Sequence, residues 1–266
     1  MSYSSDTINF LAKKYNFKRY LEIGVRDGAT FIHVNVPHKT AVDPKFVYDI
    51  NTHISPIISY FKETSDTFFE KLPGRLEEEP YQSYSENERF EFDIIFIDGM
   101  HTFEQSLNDF CNSIKYIHEN SIIVFDDTLP RDPYSAVPDY DKSLYYRHLA
   151  RIGGCNPWHG DVFKTIFAIY NFFPQFSYAT HYRETGYSTT VVWRTKEKSQ
   201  RKPVFGTISN IATFSYFDML DYASYLVPVE LDTMYSMIGT MVTDEIYHKA
   251  VDYSKIVIPL YMLRKT

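Results

Sequence analysis

The stretch "FDIIFIDGMHTFEQSLNDF", residues 92 to 110, decides the fold. It opens with an apolar, β-branched run of strand length, whose far end carries Asp98, Gly99 and His101. The period then changes. Apolar residues recur at Phe103, Leu107, Phe110, Ile114 and Ile117, spacings of four, three, four and three that mark one helix face. Thr102 would cap that helix and Asn120 would end it. An acid and an imidazole are thus delivered to the tip of a buried strand, where a helix begins.

Working outward, "RYLEIGV" (19–25), "TAVDP" (40–44), "IISYFKETS" (57–65) and "SIIVFDD" (121–127) read as further strands, with helix-length segments between them. That alternation predicts an α/β fold with a doubly wound, mostly parallel sheet covered on both faces. Such sheets bind ligands beyond the carboxyl ends of their strands, which selects Gly24, Asp43, Asp98 and Asp126. Past residue 128, "TLPRDPYSAVPDYDK" reads as a loop. "GDVFKTIFAIYNFF" (160–173) resumes a helix, and residues 176–195 read as an antiparallel hairpin turning at 184–186. The charged run "KEKSQRKP" (196–203) reads as a linker. Residues 1–196 are therefore expected to form one domain. Residues 197–266 are expected to be a mainly helical extension serving as a lid, an acceptor-binding element or a dimerisation element.

Composition narrows the function. The chain has 266 residues, 44% of them hydrophobic, enough for a sizeable core. A net charge of -7 and the lack of a long basic run argue against a nucleic-acid partner. Two distant cysteines, Cys111 and Cys155, fit a reducing cytoplasm better than a disulfide framework. The polar first residues do not read as a signal peptide, and no apolar run approaches the roughly 20 residues of a membrane helix. The expected partner is a small-molecule or sugar acceptor, with a homo-oligomer built through the extension.

In "EIGVRDGAT" (22–30), Gly24 and Gly28 flank a turn expected to lead into a helix. An ordinary strand-to-helix turn would look similar. Arg26 holds the place of the second glycine in the Gly-x-Gly-x-x-Gly pattern, which argues against a nicotinamide oxidoreductase. Asp43, ending the second strand, suits two ribose hydroxyls, because a carboxylate accepts both hydrogen bonds. Its plainer role is a turn former before Pro44.

This arrangement resembles the class I S-adenosylmethionine-dependent methyltransferases over roughly residues 18 to 195. "YLEIGVRDGAT" is similar to their first motif and "AVDP" to the acidic end of their second strand. "FIDGMHTFEQSLNDF", "IIVFDD" and "GDVFKTI" resemble the metal-dependent branch of macrocin-type sugar O-methyltransferases. The resemblance implies S-adenosyl-L-methionine as cofactor, bound by a set that includes Gly28 and Asp98, with Glu22 and Gly24 near the methionine part, Asp43 at the ribose and Ser65 or Asp66 near the adenine. Residues from 204 onward match no family pattern.

Neighbouring parallel strands end side by side, so Asp98, Asp126 and Asp127 are expected to converge. Three carboxylates in a partly dry cleft repel unless one is protonated or a cation is present. All-oxygen ligands favour Mg2+, with Mn2+ an alternative, and the resemblance independently implies a metal on these three. The plainer reading makes Asp127 a loop cap and has Asp98 bind backbone amides. A divalent ion would acidify a sugar hydroxyl, and His101, assisted by Asp98, would collect its proton. The plainer reading of His101 is a helix-start residue satisfied by hydrogen bonds. Trp158, His159 and Asp161 would line the acceptor pocket or, more plainly, form a helix cap beside a buried aromatic. Lys164 would pair with a carboxylate or meet an anionic acceptor. The expected activity is O-methylation of a sugar or glycosylated small molecule. Metal-free transfer to nitrogen or to an acidic oxygen, and a non-catalytic cofactor-binding module, remain as alternatives.

Overall fold

The apolar runs form strands, as their β-branched content requires. The structure, a computed structural model, describes residues 3–76, 90–153, 157–183, 187–197 and 199–251. Cys155, the expected hairpin turn at 184–186 and the end of the extension lie outside the described residues. The chain divides into two compact units. The described residues of Met1–Met100 and Asn108–Val124 make up the first, and those of His101–Leu107 and Phe125–Thr266 the second.

The first unit begins with helix α1 (Tyr3–Tyr15), whose buried face includes Ile8 and Leu11. Strands β1 (Arg19–Ile23), β2 (His38–Val42), β3 (Ile58–Phe61) and β4 (Phe92–Ile97) follow, with helix α2 (Ser65–Arg75) between the last two. β1 lies parallel to both β2 and β4, and β2 parallel to β3. Ile94, Ile95 and Phe96 are completely buried, each contributing roughly 2 kcal/mol by burial. Helix α3 (Phe103–Ser113) leads to β5 (Ile117–Asp126).

The second unit holds α4 (Tyr140–Leu149), α5 (Phe163–Phe172), β6 (Phe176–Tyr182) and β7 (Ser188–Arg194). It continues with α6 (Ile208–Ala212), α7 (Tyr216–Asp221), β8 (Pro228–Val229), α8 (Leu231–Met237) and α9 (Asp244–Tyr247). β6 and β7 form the expected antiparallel pair, and β8 adds in parallel beside β6. The full strand order is β3-β2-β1-β4-β5-β7-β6-β8, a mostly parallel, Rossmann-like sheet with an antiparallel pair. Among the described residues no helix is long and apolar enough to cross a membrane.

Four local expectations need correction. The helix expected to run to Asn120 stops at Ser113, because turn bonds from Lys115 and Tyr116 close it. Tyr116 then accepts the Phe92 amide, and Ile117 joins a strand instead of a helix face. The helix expected after Gly28 is a single 3-10 turn, Phe31–His33, followed by β-branched Val34 and Val36 and by Pro37. The third strand ends at Phe61, and Ser65 starts α2, capped by the Thr64 hydroxyl. The charged "linker" carries the buried Arg201, whose five N–H groups donate to Ile169, Tyr170, Phe173 and Phe176 carbonyls and to the Tyr247 hydroxyl. Composition alone marks a charged run as exposed and cannot show that a guanidinium finds five acceptors at the end of α5.

Candidate functional site

In the first unit the strand order reverses between β1 and β4, the place where open α/β sheets take their ligands. Gly24 stands there at φ 89°, donating its N–H to Val42. A Cβ on Gly24 would lie 1.9 Å from the Asp98 carbonyl oxygen, so only glycine lets the two strand tips meet. Gly28 donates to Val25 over 2.8 Å and closes the turn. Between them, Arg26 takes a left-handed φ of 46°, and Asp43 holds it there. One Asp43 oxygen accepts the Arg26 N–H at 2.8 Å and the other accepts the Lys45 N–H at 2.6 Å. Asp43 is therefore the turn former of the plainer reading and also a clasp on the glycine loop. Each carboxylate oxygen keeps a second lone pair for a ligand hydroxyl.

Glu22 is buried and accepts the Tyr20 hydroxyl at 2.5 Å. Burial drives its carboxyl well above the ordinary range; the Tyr20 bond and Lys39 oppose the shift, and Asp98 adds to it. Lys39 is itself pushed down by burial, and its ammonium donates to the Phe31 and Val34 carbonyls. Tyr48 and Tyr60 extend this crevice and were not singled out in the sequence. Burial raises the Tyr48 phenol, with Tyr60, Glu22 and Asp43 adding to the shift, so its hydroxyl lies near both acids. Phe46 packs edge-on against both rings. Ser65 is buried at the start of α2, and the adjacent Asp66 accepts the Asn108 side-chain amide at 2.6 Å. The fully buried Asp109, also unforeseen, brings an oxygen 3.5 Å from the Cβ position of Gly99.

The second unit gathers side chains around Asp127. This residue takes φ 56° directly after β5, in the left-handed region where strain gathers at functional positions. Its N–H meets the Asp126 carboxylate at 3.1 Å and the Ser188 carbonyl at 3.0 Å. Its own two oxygens face imidazoles, His101 Nδ1 at 3.4 Å and His159 Nε2 at 3.7 Å. His101 Nδ1 also lies 2.8 Å from the Trp158 carbonyl. A carbonyl can only accept, so the network assigns the proton to Nδ1 and makes Nε2 the acceptor of the neutral ring. The His101 ring stacks on Trp158, centroids 4.8 Å apart, and the Trp158 indole donates to the Val137 carbonyl.

Asp161 does not cap its own helix. One oxygen accepts the Phe103 N–H at 2.7 Å, capping α3, and the other takes the Lys164 ammonium at 2.8 Å. Lys164 thereby finds the carboxylate partner expected of it. Gly160 at φ 60° lies flush against the His101 carbonyl, where a Cβ would stand 1.6 Å from the oxygen. The loop holding His101 thus depends on a glycine that the sequence marked only as a helix start. His181 is buried beside the Val229 carbonyl and held below its ordinary pKa by burial.

Residues 21–128 match the model of a family described as a methyltransferase domain. No curated protein matches the chain. Among solved structures, an O-methyltransferase from Bacillus cereus in complex with SAH shares 12% identity over 73% of this chain and 82% of its own, with a TM-score of 0.45. A SAH-bound methyltransferase from Podospora anserina shares 14% over 73% and 80%, with a TM-score of 0.46. The O-methyltransferase TomG from Streptomyces achromogenes, involved in tomaymycin synthesis and solved with SAM, shares 12% over 72% and 79%, with a TM-score of 0.43.

Proposed function

We propose, from the match of residues 21–128 to a methyltransferase-domain family, that this chain is an S-adenosylmethionine-dependent, divalent-metal-assisted O-methyltransferase acting on a hydroxyl of a sugar or glycosylated small molecule. The observation that carries the cofactor reading is the flush contact of Gly24 with the Asp98 carbonyl at the sheet's switch point. Beside it, Asp43 anchors the loop and retains lone pairs for ribose hydroxyls, while Glu22 and Tyr48 supply polar groups within a mostly aromatic wall. These groups suit the hydroxyls of a nucleoside and a short polar tail.

The donor set also fits a divalent ion. Asp126 and Asp127 carry carboxylates at and just past the end of β5, and Asp98 carries one directly after β4. These three would hold the ion. Carboxylates alone suit Mg2+, and His159 beside Asp127 extends the fit to Mn2+. When bound, the sulfonium cofactor supplies an electrophilic methyl group and the ion supplies positive charge that acidifies an acceptor hydroxyl.

The chain's own residues do the rest. Trp158 fixes the ring plane of His101 by stacking and fixes its tautomer through its carbonyl. Nε2 is then positioned to accept the hydroxyl proton, and the Asp127 carboxylate stabilises the imidazolium that results. The test is calorimetric titration of S-adenosylhomocysteine (SAH), followed by Mg2+-dependent turnover across a panel of sugar acceptors. Saturable binding and turnover that stops in Asp126→Ala support the reading. Failure to bind at millimolar ligand removes the cofactor claim, and full turnover in the variant removes the metal.

A further inference from the structure

The loop that follows Asp127 buries two guanidiniums around one carboxylate. Asp132 is completely buried. One of its oxygens accepts the Tyr134 and Ser135 N–H groups at 3.0 and 2.8 Å. The other accepts Arg147 Nη2 at 2.6 Å and lies 4.0 Å from Arg131 Nε. Arg147 is only 2% exposed and Arg131 8%. Among the described residues, two positive charges therefore share one negative charge in a nearly dry place. Tyr216, whose hydroxyl donates to the Arg131 carbonyl, adds no compensating charge, because burial and Asp132 hold its phenol protonated.

The donor count is as uneven as the charge. Arg147 Nε and Nη1 and Arg131 Nε have no hydrogen-bond partner among the described residues. Arg201 shows how the same unit buries an arginine for structure alone, with every one of its five N–H groups satisfied. Buried donors left idle beside an excess positive charge are the complement of an oxyanion, which a guanidinium fork meets through paired hydrogen bonds. The position suits recognition. The Ser135 carbonyl accepts the N–H groups of His159 and Gly160, and His159 faces Asp127.

We propose that Arg131 and Arg147 form a subsite for an oxyanion carried by the acceptor, so that the methylated molecule is an acidic one, bearing a carboxylate, sulfate or phosphate group. The assignment of that anion to the acceptor rests on the methyltransferase reading; the subsite itself does not. Sulfate, phosphate and acetate are titrated by calorimetry into the full chain at constant ionic strength made up with chloride, and glucuronate is compared with glucose. Saturable one-to-one binding is expected, weakened at least tenfold in Arg131→Gln and in Arg147→Met, with glucuronate bound and glucose not. The preference among the three simple anions identifies the group carried. Arg131 lies nearer the surface, so its variant keeps the test alive if Arg147→Met does not fold. Absence of saturable binding, or equal binding in folded variants, overturns the proposal and leaves the arginines a fold-closing device. SAH is titrated into the same proteins. Its binding is expected in all of them, and its failure alongside intact anion binding would count against the methyltransferase reading only.

Discussion

The crevice of the first unit and the cluster of the second are built by different means. The first is mostly backbone: Gly24 against the Asp98 carbonyl, Arg26 held through its amide, and strand tips joined by Gly24 to Val42 and Asp98 to Ile23. The second is mostly side chain: His101 on Trp158, two imidazoles on Asp127, and Asp161 reaching from before α5 to the start of α3. A backbone-built crevice tolerates few substitutions and binds by shape. A side-chain cluster can lose one group, keep its fold and lose only its chemistry. Substitutions should therefore separate stability from activity along this division.

The largest effect is expected at Gly24→Ala. The new Cβ meets backbone rather than a flexible side chain, and φ 89° adds its own strain. A loss of about 3 kcal/mol or more, or failure to fold, is expected in urea unfolding. A wild-type midpoint would break the claim that the crevice is rigid. His101→Ala should lower kcat by roughly a hundred- to ten-thousandfold while leaving SAH affinity and the unfolding midpoint nearly unchanged. Equal losses in kcat and SAH binding would mean that the two regions do not divide the work.

Asp161→Ala should cost about 3 kcal/mol, since it leaves the buried Lys164 ammonium with the Ala212 carbonyl but no counter-charge and uncaps α3; Asp161→Asn should cost less, because an amide oxygen can still cap. Matching losses in the two variants would show that the cap contributes nothing, and a wild-type midpoint in Asp161→Asn would show that the ion pair does not. The smallest effect is expected at Glu22→Gln. Burial raises the Glu22 pKa, so the stability it contributes is present below the ordinary carboxylate pKa near 4.5 and is lost as pH rises through the raised value. The variant should therefore gain on wild type as pH rises above about 4.5, as read by thermal unfolding at several pH values. A variant that instead loses ground as pH rises would show that Glu22 is held ionised, paired with Lys39.

This division also explains what the sequence disclosed. β1, β4 and β5 and their tips at Gly24, Asp98, Asp126 and Asp127 are local patterns, an apolar run followed by a polar end, and they read directly. The early end of α3 does not, because Ile117 satisfies a helical period equally well and only strand pairing beside Phe92 decides against it. Gly160, the distant cap by Asp161 and the buried Arg147 depend on contacts 15 to 59 residues apart in the chain, for which spacing carries no signal. Tyr48 was hidden for another reason. It is one of 23 tyrosines, and its position near Glu22 and Asp43 appears only in three dimensions.

The central claim is that the first unit holds the nucleotide and the second does the proton chemistry. Titrating SAH into the wild-type chain, Asp43→Ala and His101→Ala tests it most directly. The account predicts one-to-one binding to wild type, at least tenfold weaker binding to Asp43→Ala and unchanged binding to His101→Ala. No binding to the wild type, or undiminished binding to Asp43→Ala, would contradict it.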